Sequence, residues 1–168
     1  HRAPDILIAG CGTGQHAIQR AQQFQSANVL AIDLSLASLS YAIRQTKELG
    51  LTNLRYAQGD ILALADDRTF DIIDSSGVLH HLKEPLTGWR GLANLLRPGG
   101  LMHIGLYSAA ARQDINAARS YLAQQGRDYS VPEVRRLRAE VAGRAPGDQL
   151  HNLTNFSDFF SMSECRDL

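Results

Sequence analysis

The sequence is poor in cysteine and has no long apolar run. Cys11 and Cys165 are the only cysteines among 168 residues, too few for a disulfide framework and in no metal-ligand spacing. No apolar stretch approaches the roughly 18 residues of a membrane-spanning helix, and no signal-peptide pattern stands at the start. These shortages predict a cytoplasmic chain with no membrane segment and no metal site.

The chain also lacks an excess of charge of one sign. Seventeen Lys and Arg residues balance seventeen Asp and Glu residues, so the formal net charge is zero. This balance disfavours a protein that coats nucleic acid, although a local basic patch keeps such a partner open. One basic stretch lies on a helix predicted at 131–143 and just beyond it, with Arg135, Arg136, Arg138 and Arg144. A solvated helix face and an anionic partner both account for it.

Short apolar runs alternate with helical patterns along the first two thirds of the chain. Strands are predicted at Ile6–Ala9, Asn28–Leu34, Leu54–Ala57, Phe70–Asp74 and Leu101–Tyr107, with Arg97-Pro98-Gly99-Gly100 as a break before the last. The alternation predicts an α/β fold with a doubly wound, Rossmann-like, mainly parallel sheet and helices on both faces. Residues 1–108 are expected to form this core. Residues 109–168, with helices at 109–125 and 131–143, are expected to be a variable helical segment of the same domain.

Three closely spaced glycines follow the first strand in the stretch ILIAGCGTGQHA. Gly10, Gly12 and Gly14 permit positive φ and let another molecule approach bare backbone. The helix that follows offers free N–H groups at its N-terminus. Asp33 ends the second strand about 20 residues later, where a carboxylate can bind both ribose hydroxyls or simply cap the next helix. The combination predicts a nucleotide-like ligand at the carboxyl edge of the sheet.

The glycine spacing argues against two common nucleotide sites. A dinucleotide fingerprint needs Gly or Ala where this chain has Gln15, so an NAD-dependent oxidoreductase is disfavoured. A phosphate-binding loop of the G-x-x-x-x-G-K-[ST] type needs a lysine, and the first lysine of the chain is Lys47.

Five segments, ILIAGCGTG, AIDLS, AQGDI, FDIIDSSGVLHHL and LLRPGGLMHIGLYS, occur in this order. Together they resemble the class I S-adenosylmethionine-dependent methyltransferase family over residues 5–108. In detail these sequences are similar to those of bacterial methyltransferase domains fused to tetratricopeptide repeats. The resemblance implies S-adenosylmethionine as cofactor, S-adenosylhomocysteine as product, and a methyl acceptor that the sequence does not identify.

The resemblance also implies roles for particular residues. Gly10, Gly12 and Gly14, with Cys11 between them, would lie under the methionine part of the cofactor. Asp33 would bind the ribose beside Leu34, and Asp60 would hold the adenine, with the Ile61 side chain over the ring. The residues expected on the floor of the site are Ser75, Ser76 and Gly77.

Two departures from the family pattern keep a second function open. Many members have an acidic residue at the position of Ile8, and two further strands of the family sheet are not found after the fifth. The chain is therefore expected to be a fragment with an exposed sheet edge, through which a dimer can form. A non-catalytic cofactor-binding or scaffold module of a larger protein is the alternative to a methyltransferase.

No residue is assigned as the catalytic base. Methyl transfer from a sulfonium needs a base only when the acceptor loses a proton. His80, His81 and Tyr107 are weak candidates, each with an equally simple packing role. Asp74 is either a pocket residue or a strand-end carboxylate in water. A nucleophilic Cys11 is rejected, because no histidine is placed by sequence to activate it.

Overall fold

The computed structural model describes residues 2–64, 69–108, 110–124, 126, 130–148 and 150–155. Cys165 lies outside the described residues. The contacts divide the chain into two compact units, residues 1–106 and residues 107–168, and each is described by itself. Within the described ranges, no helix is both long and apolar enough to cross a lipid bilayer.

The first unit is a parallel sheet flanked by helices. Its strands are β1 (Asp5–Ala9), β2 (Asn28–Asp33), β3 (Leu54–Gln58), β4 (Phe70–Ser76) and β5 (Leu96–Gly105). Its helices are α1 (Gln15–Gln23), α2 (Leu36–Glu48) and α3 (Pro85–Asn94), with short 3-10 helices at Ile61–Ala63 and Leu79–His81. The five strands run parallel in the order β3-β2-β1-β4-β5, which confirms the predicted doubly wound sheet.

Alternate residues of β1 serve the two faces of the sheet. Ile6 and Ile8 pack with Ala17 and Ala21 of α1 on one face, which α2 also covers. Leu7 belongs to the second core, on the α3 face. Burying each large apolar side chain contributes about 1.5–3 kcal/mol, so the central strand is anchored from both sides. The helices therefore lie on both faces, as predicted.

The predicted start and end of the fifth strand were wrong. β5 begins at Leu96 and includes the Arg97–Gly100 segment, since Leu96 pairs with Phe70 before the register shifts. The extra residues are accommodated by this irregularity and by Gly99, whose φ is 81°. The strand ends at Gly105, so Tyr107 lies beyond it and belongs to the second unit.

The second unit contains α4 (Gln113–Gln124), α5 (Val131–Ala142) and a 3-10 helix at His151–Asn155. The buried side chains at its centre are Ile115, Val141, Leu150 and Leu153. Arg136 pairs with Glu133 at 2.7 Å, and Arg144 pairs with both Glu140 and Asp148. Neighbouring carboxylates therefore match the charges of two of the four arginines, as a solvated helix face would have them.

Asp5 joins three strands at the amino edge of the sheet, and this predicts a pH dependence of stability. Its carboxylate accepts hydrogen bonds from Arg97 of β5 and Asn28 of β2. The bond from Arg97 is the main reason that the pKa of Asp5 is lowered from 3.8 to about 2. Since the folded protein holds this carboxylate ionised, the stabilisation is present above pH 4 and is lost as pH falls toward 2.

We expect Asp5→Asn to lower the free energy of unfolding at pH 7 by about 1–2 kcal/mol, after allowance for partial solvent screening. The gap between variant and wild type should stay constant from pH 7 to 5 and narrow below pH 4. Urea unfolding at each pH measures it. A gap that stays constant down to pH 2.5 would contradict the role assigned to Asp5.

Candidate functional site

The glycine loop leaves the carboxyl end of β1 at the centre of the sheet. Gly10, Gly12 and Gly14 all have positive φ, at 81°, 52° and 87°. The N–H groups of Gly10 and Cys11 both donate to the carbonyl of Ile32, each at 2.9 Å, so the chain turns sharply toward α1. Glycine alone adopts such backbone angles without strain.

Gly10 and Gly14 are needed for close packing, whereas Gly12 is not. A Cβ on Gly10 would lie 2.4 Å from a methyl group of Val78, and one on Gly14 would lie 2.6 Å from the Cβ of Ala42. Close packing within the protein therefore excludes side chains at both positions. A Cβ on Gly12 would meet no atom within 4 Å. Gly12 thus presents open backbone, and the space above it has room for a ligand.

Asp33 holds this loop from the end of β2. One carboxylate oxygen accepts a hydrogen bond from the N–H of Gly12 at 2.7 Å, and the other accepts from the N–H of Ser35 at 2.9 Å. Ser35 in turn caps α2, with its hydroxyl accepting from the N–H of Ser38. An ionised carboxylate has about four acceptor sites, so Asp33 retains capacity for ribose hydroxyls beside its structural bonds.

Asp60 lies beyond the end of β3, where its carboxylate accepts from the N–H of Leu62 at 2.9 Å. Ile61 is only 6% exposed and packs in the core with Leu79 and others, so its side chain is not displayed at the surface. The exposed apolar side chains beside the two aspartates are those of Leu34, at 60%, and Leu62, at 39%.

The end of β4 lies beside the end of β1 at the carboxyl edge of the sheet. Ser76 is its last residue, and Gly77 follows with φ 76° and no atom within 4 Å of a Cβ built on it. Ser75 is buried, and its hydroxyl finds no hydrogen-bond partner among the described residues. Gly12 and Gly77 therefore leave open backbone at the ends of β1 and β4, which are neighbours in the sheet.

The three candidate catalytic residues are divided between the two units. His80 and His81 are in the 3-10 helix after β4, with ring centroids 4.2 Å apart and ring planes tilted by 54°. Tyr107 is in the second unit, where the Arg112 guanidinium lies 3.7 Å from its ring centroid.

Asp74 is the residue that sequence reasoning placed least well. It is 2% exposed, within β4, and therefore is neither at the strand end nor in water. Its carboxylate is hydrogen-bonded to Arg20 at 3.0 Å and to His103 at 2.9 Å, and it lies 3.2 Å from His16 Nε2. His16 and Arg20 are four residues apart on α1, and that spacing was the available signal. Across the described residues, no cluster of His, Cys, Asp and Glu is arranged to hold a metal ion.

Cys11 lies inside the glycine loop with 8% of its surface exposed. Burial, together with the nearby charge of Asp33, raises the pKa of its thiol to about 12. The thiol is therefore protonated at neutral pH, and a protonated thiol is a poor nucleophile. The geometry agrees with the rejection of Cys11 as a nucleophile.

The sequence matches the model of a known protein family. That family is described as a methyltransferase domain, and the match covers residues 6–100. A trans-aconitate 2-methyltransferase from Deinococcus radiodurans is 40% identical over 99 residues, which are 59% of this chain and 36% of that protein. This chain therefore belongs to the methyltransferase domain family, whose methyl donor is S-adenosylmethionine.

Two solved structures show the same fold. PKMT2 from Rickettsia typhi in complex with AdoHcy is 19% identical, has a TM-score of 0.67, and is matched over 92% of this chain and 31% of its own. The [4+2]-cyclase SpnF is 27% identical with a TM-score of 0.57, over 61% of this chain and 38% of its own. The chain spans at most half the length of the curated relatives it matches.

The buried thiol gives a prediction for chemical labelling. In a Cys165→Ser variant, we expect Cys11 to react with iodoacetamide at pH 8 at least about 100-fold more slowly than a free thiol, because its pKa of about 12 leaves little thiolate. Mass spectrometry follows the reaction, and the same variant in urea should react at the rate of a free thiol. Rapid labelling of the folded variant would show that the loop does not bury Cys11.

Proposed function

We propose that this chain is the cofactor-binding part of a methyltransferase that transfers a methyl group from S-adenosylmethionine to an acceptor. The observation that carries the proposal is the open backbone of Gly12 directly beside the carboxylate of Asp33. A ligand with both an amino acid and a ribose needs such a pair of features. The family match over residues 6–100 supports the same reading.

The proposed roles divide the site between the strand ends. Gly10, Cys11, Gly12 and Gly14 form the loop under the methionine part, and Asp33 binds the ribose. Asp60 holds the adenine, with Ile61 behind it in the core and Leu34 and Leu62 at the exposed surface. The residues proposed for the floor near the methionine end are Ser75, Ser76 and Gly77.

For methyl transfer, the protein mainly has to bind the two reactants and orient them. S-adenosylmethionine supplies a methyl group on a positively charged sulfur, which is a good leaving group. The loop backbone and Asp33 fix the donor, and an acceptor must then lie in line with the transferred methyl. His80 and His81 are proposed as a base only for an acceptor that must lose a proton.

The rival proposal is a module that binds the cofactor without methyl transfer. The fold neighbour SpnF is named a [4+2]-cyclase, so this architecture alone does not fix the reaction. Methylated product from the full-length protein would favour the methyltransferase, whereas binding without product would favour the rival.

We further propose that the domain is of the type fused to tetratricopeptide repeats in a cytoplasmic bacterial protein, with residues 1–108 as the binding core and 109–168 as its variable segment. Support comes from the resemblance of the sequence to such domains. Flanking sequence with helical repeats of about 34 residues would agree with this proposal, and its absence would count against it. The proposal also includes a dimer formed through β5, which lies at the edge of the described sheet. It further includes a methyl acceptor other than nucleic acid.

The test is calorimetric titration with S-adenosylhomocysteine of the wild type, Gly12→Ala and Gly50→Ala. Gly12 and Gly50 both have positive φ and both have open space where a Cβ would lie. Each substitution therefore costs about 1–2 kcal/mol of stability for the backbone alone. Gly50 follows α2, at the far end of a helix about 20 Å long, so only Gly12→Ala should lose micromolar binding.

Asp33→Ala should also lose binding, and NAD should not bind any of the proteins. Thermal melts establish that each variant is folded. If folded wild type fails to bind S-adenosylhomocysteine, or if Gly12→Ala and Gly50→Ala bind equally well, the proposed site is wrong.

A further inference from the structure

Helix α1 starts without the side-chain cap that most helices have. Its N-cap is Gly14, which provides no side-chain hydrogen bond, and its first turn has no acidic residue. The first N–H groups of a helix need partners, and a Ser or Asp cap commonly provides them. Leaving them open suits a ligand at the loop, but it removes the usual means of fixing where the helix begins.

The carboxylate of Asp74, on β4, contacts two residues of α1. One oxygen accepts a hydrogen bond from Arg20 Nε at 3.0 Å and lies 3.2 Å from His16 Nε2, and these two residues are one turn apart on the same face of the helix. The other oxygen bonds to His103 Nδ1 on β5 at 2.9 Å. A single side chain thus connects the start of α1 to two strands.

The position of Asp74 places this connection next to the glycine loop. Asp74 pairs with Ile8 of β1 in the sheet, two residues before Gly10. His16 is the second residue of α1 and lies two residues after Gly14. The carboxylate therefore touches the segment that follows the loop and lies beside the strand that precedes it.

Stability alone gives a poor reason for this arrangement. Asp74 is 2% exposed within a sheet, and its neighbour Ile8 belongs to the apolar core. Replacing a buried ion pair by apolar side chains is often neutral or stabilising, because desolvation offsets the attraction between the charges. A buried carboxylate does provide a defined geometry, which an apolar contact provides less well.

We propose that Asp74 is a positioning residue of the cofactor site. Through His16 and Arg20 it holds the first two turns of α1, and with them the glycine loop, in register with β4 and β5. This inference rests on the proposed function, in which the loop lies under the amino acid part of the cofactor. The nucleoside part depends instead on Asp33 and Asp60, which are not bonded to this cluster.

The experiment compares two ligands on wild type, Asp74→Asn and Asp71→Asn. S-adenosylhomocysteine has the amino acid part, whereas 5′-methylthioadenosine has the same nucleoside and sulfur without it. Asp71 is a matched control on the same strand, because its carboxylate also accepts from an arginine, Arg97, but at the amino edge of the sheet. Kd values come from calorimetry, with the weaker ligand measured by competition.

We expect Asp74→Asn to raise the Kd of S-adenosylhomocysteine about tenfold and to change that of 5′-methylthioadenosine less than about twofold, a difference that general loss of structure does not produce. Asp71→Asn should leave both Kd values unchanged. His16→Gln should have an effect similar to that of Asp74→Asn, and the double variant should be little worse than either alone, since both remove one connection.

Three results would overturn the inference: an unchanged Kd for S-adenosylhomocysteine in Asp74→Asn, an equal loss for both ligands, or fully additive effects with His16→Gln. Wild type that binds neither ligand would instead contradict the proposed function. In that case, mobility of the loop provides the second measurement. Faster amide hydrogen exchange at 10–16 in Asp74→Asn, with exchange unchanged in Asp71→Asn, supports the positioning role, and unchanged exchange rejects it.

Discussion

The hydrogen bond from the Gly12 N–H to the carboxylate of Asp33 is the contact on which the site depends. It joins the loop after β1 to the end of β2, and the same carboxylate also accepts a hydrogen bond from the N–H of Ser35, the residue before α2. The carboxylate of Asp33 therefore connects the glycine loop, the end of β2 and the start of α2. The ribose proposed to bind at this edge would use the same two oxygens that hold the loop and Ser35.

Much of the core could be predicted because its sequence signals are local. Ile6–Ala9 is short, apolar and followed by glycine, and such a run has few alternatives to a buried parallel strand. Ser35 likewise predicts the start of α2 through a bond within its own turn. The parallel direction of the strands then follows from their alternation with helices.

The features that were missed depend on contacts distant in sequence. Arg97-Pro98-Gly99-Gly100 has the composition of a turn, yet it enters β5 because Arg97 finds Asp5 and Asp71 on other strands. The burial of Ile61 also depends on distant residues, because neighbours from α3 and the second 3-10 helix enclose it. Asp74 was expected either in the pocket or at the strand end in water, and only the folded arrangement shows Arg20, His16 and His103 around its buried carboxylate.

The contrast among the three loop glycines has a consequence for comparing relatives. Gly10 and Gly14 are imposed by internal packing, and Asp33 supports the loop whether or not a ligand is bound. Lineages that have abandoned the cofactor would still keep all three. A Cβ on Gly12 would meet no protein atom, so once nothing occupies the space above it, only its positive φ, worth about 1–2 kcal/mol, still favours glycine there. Drift at that one position, with the others intact, would mark descendants that preserve the scaffold after its original use has ended.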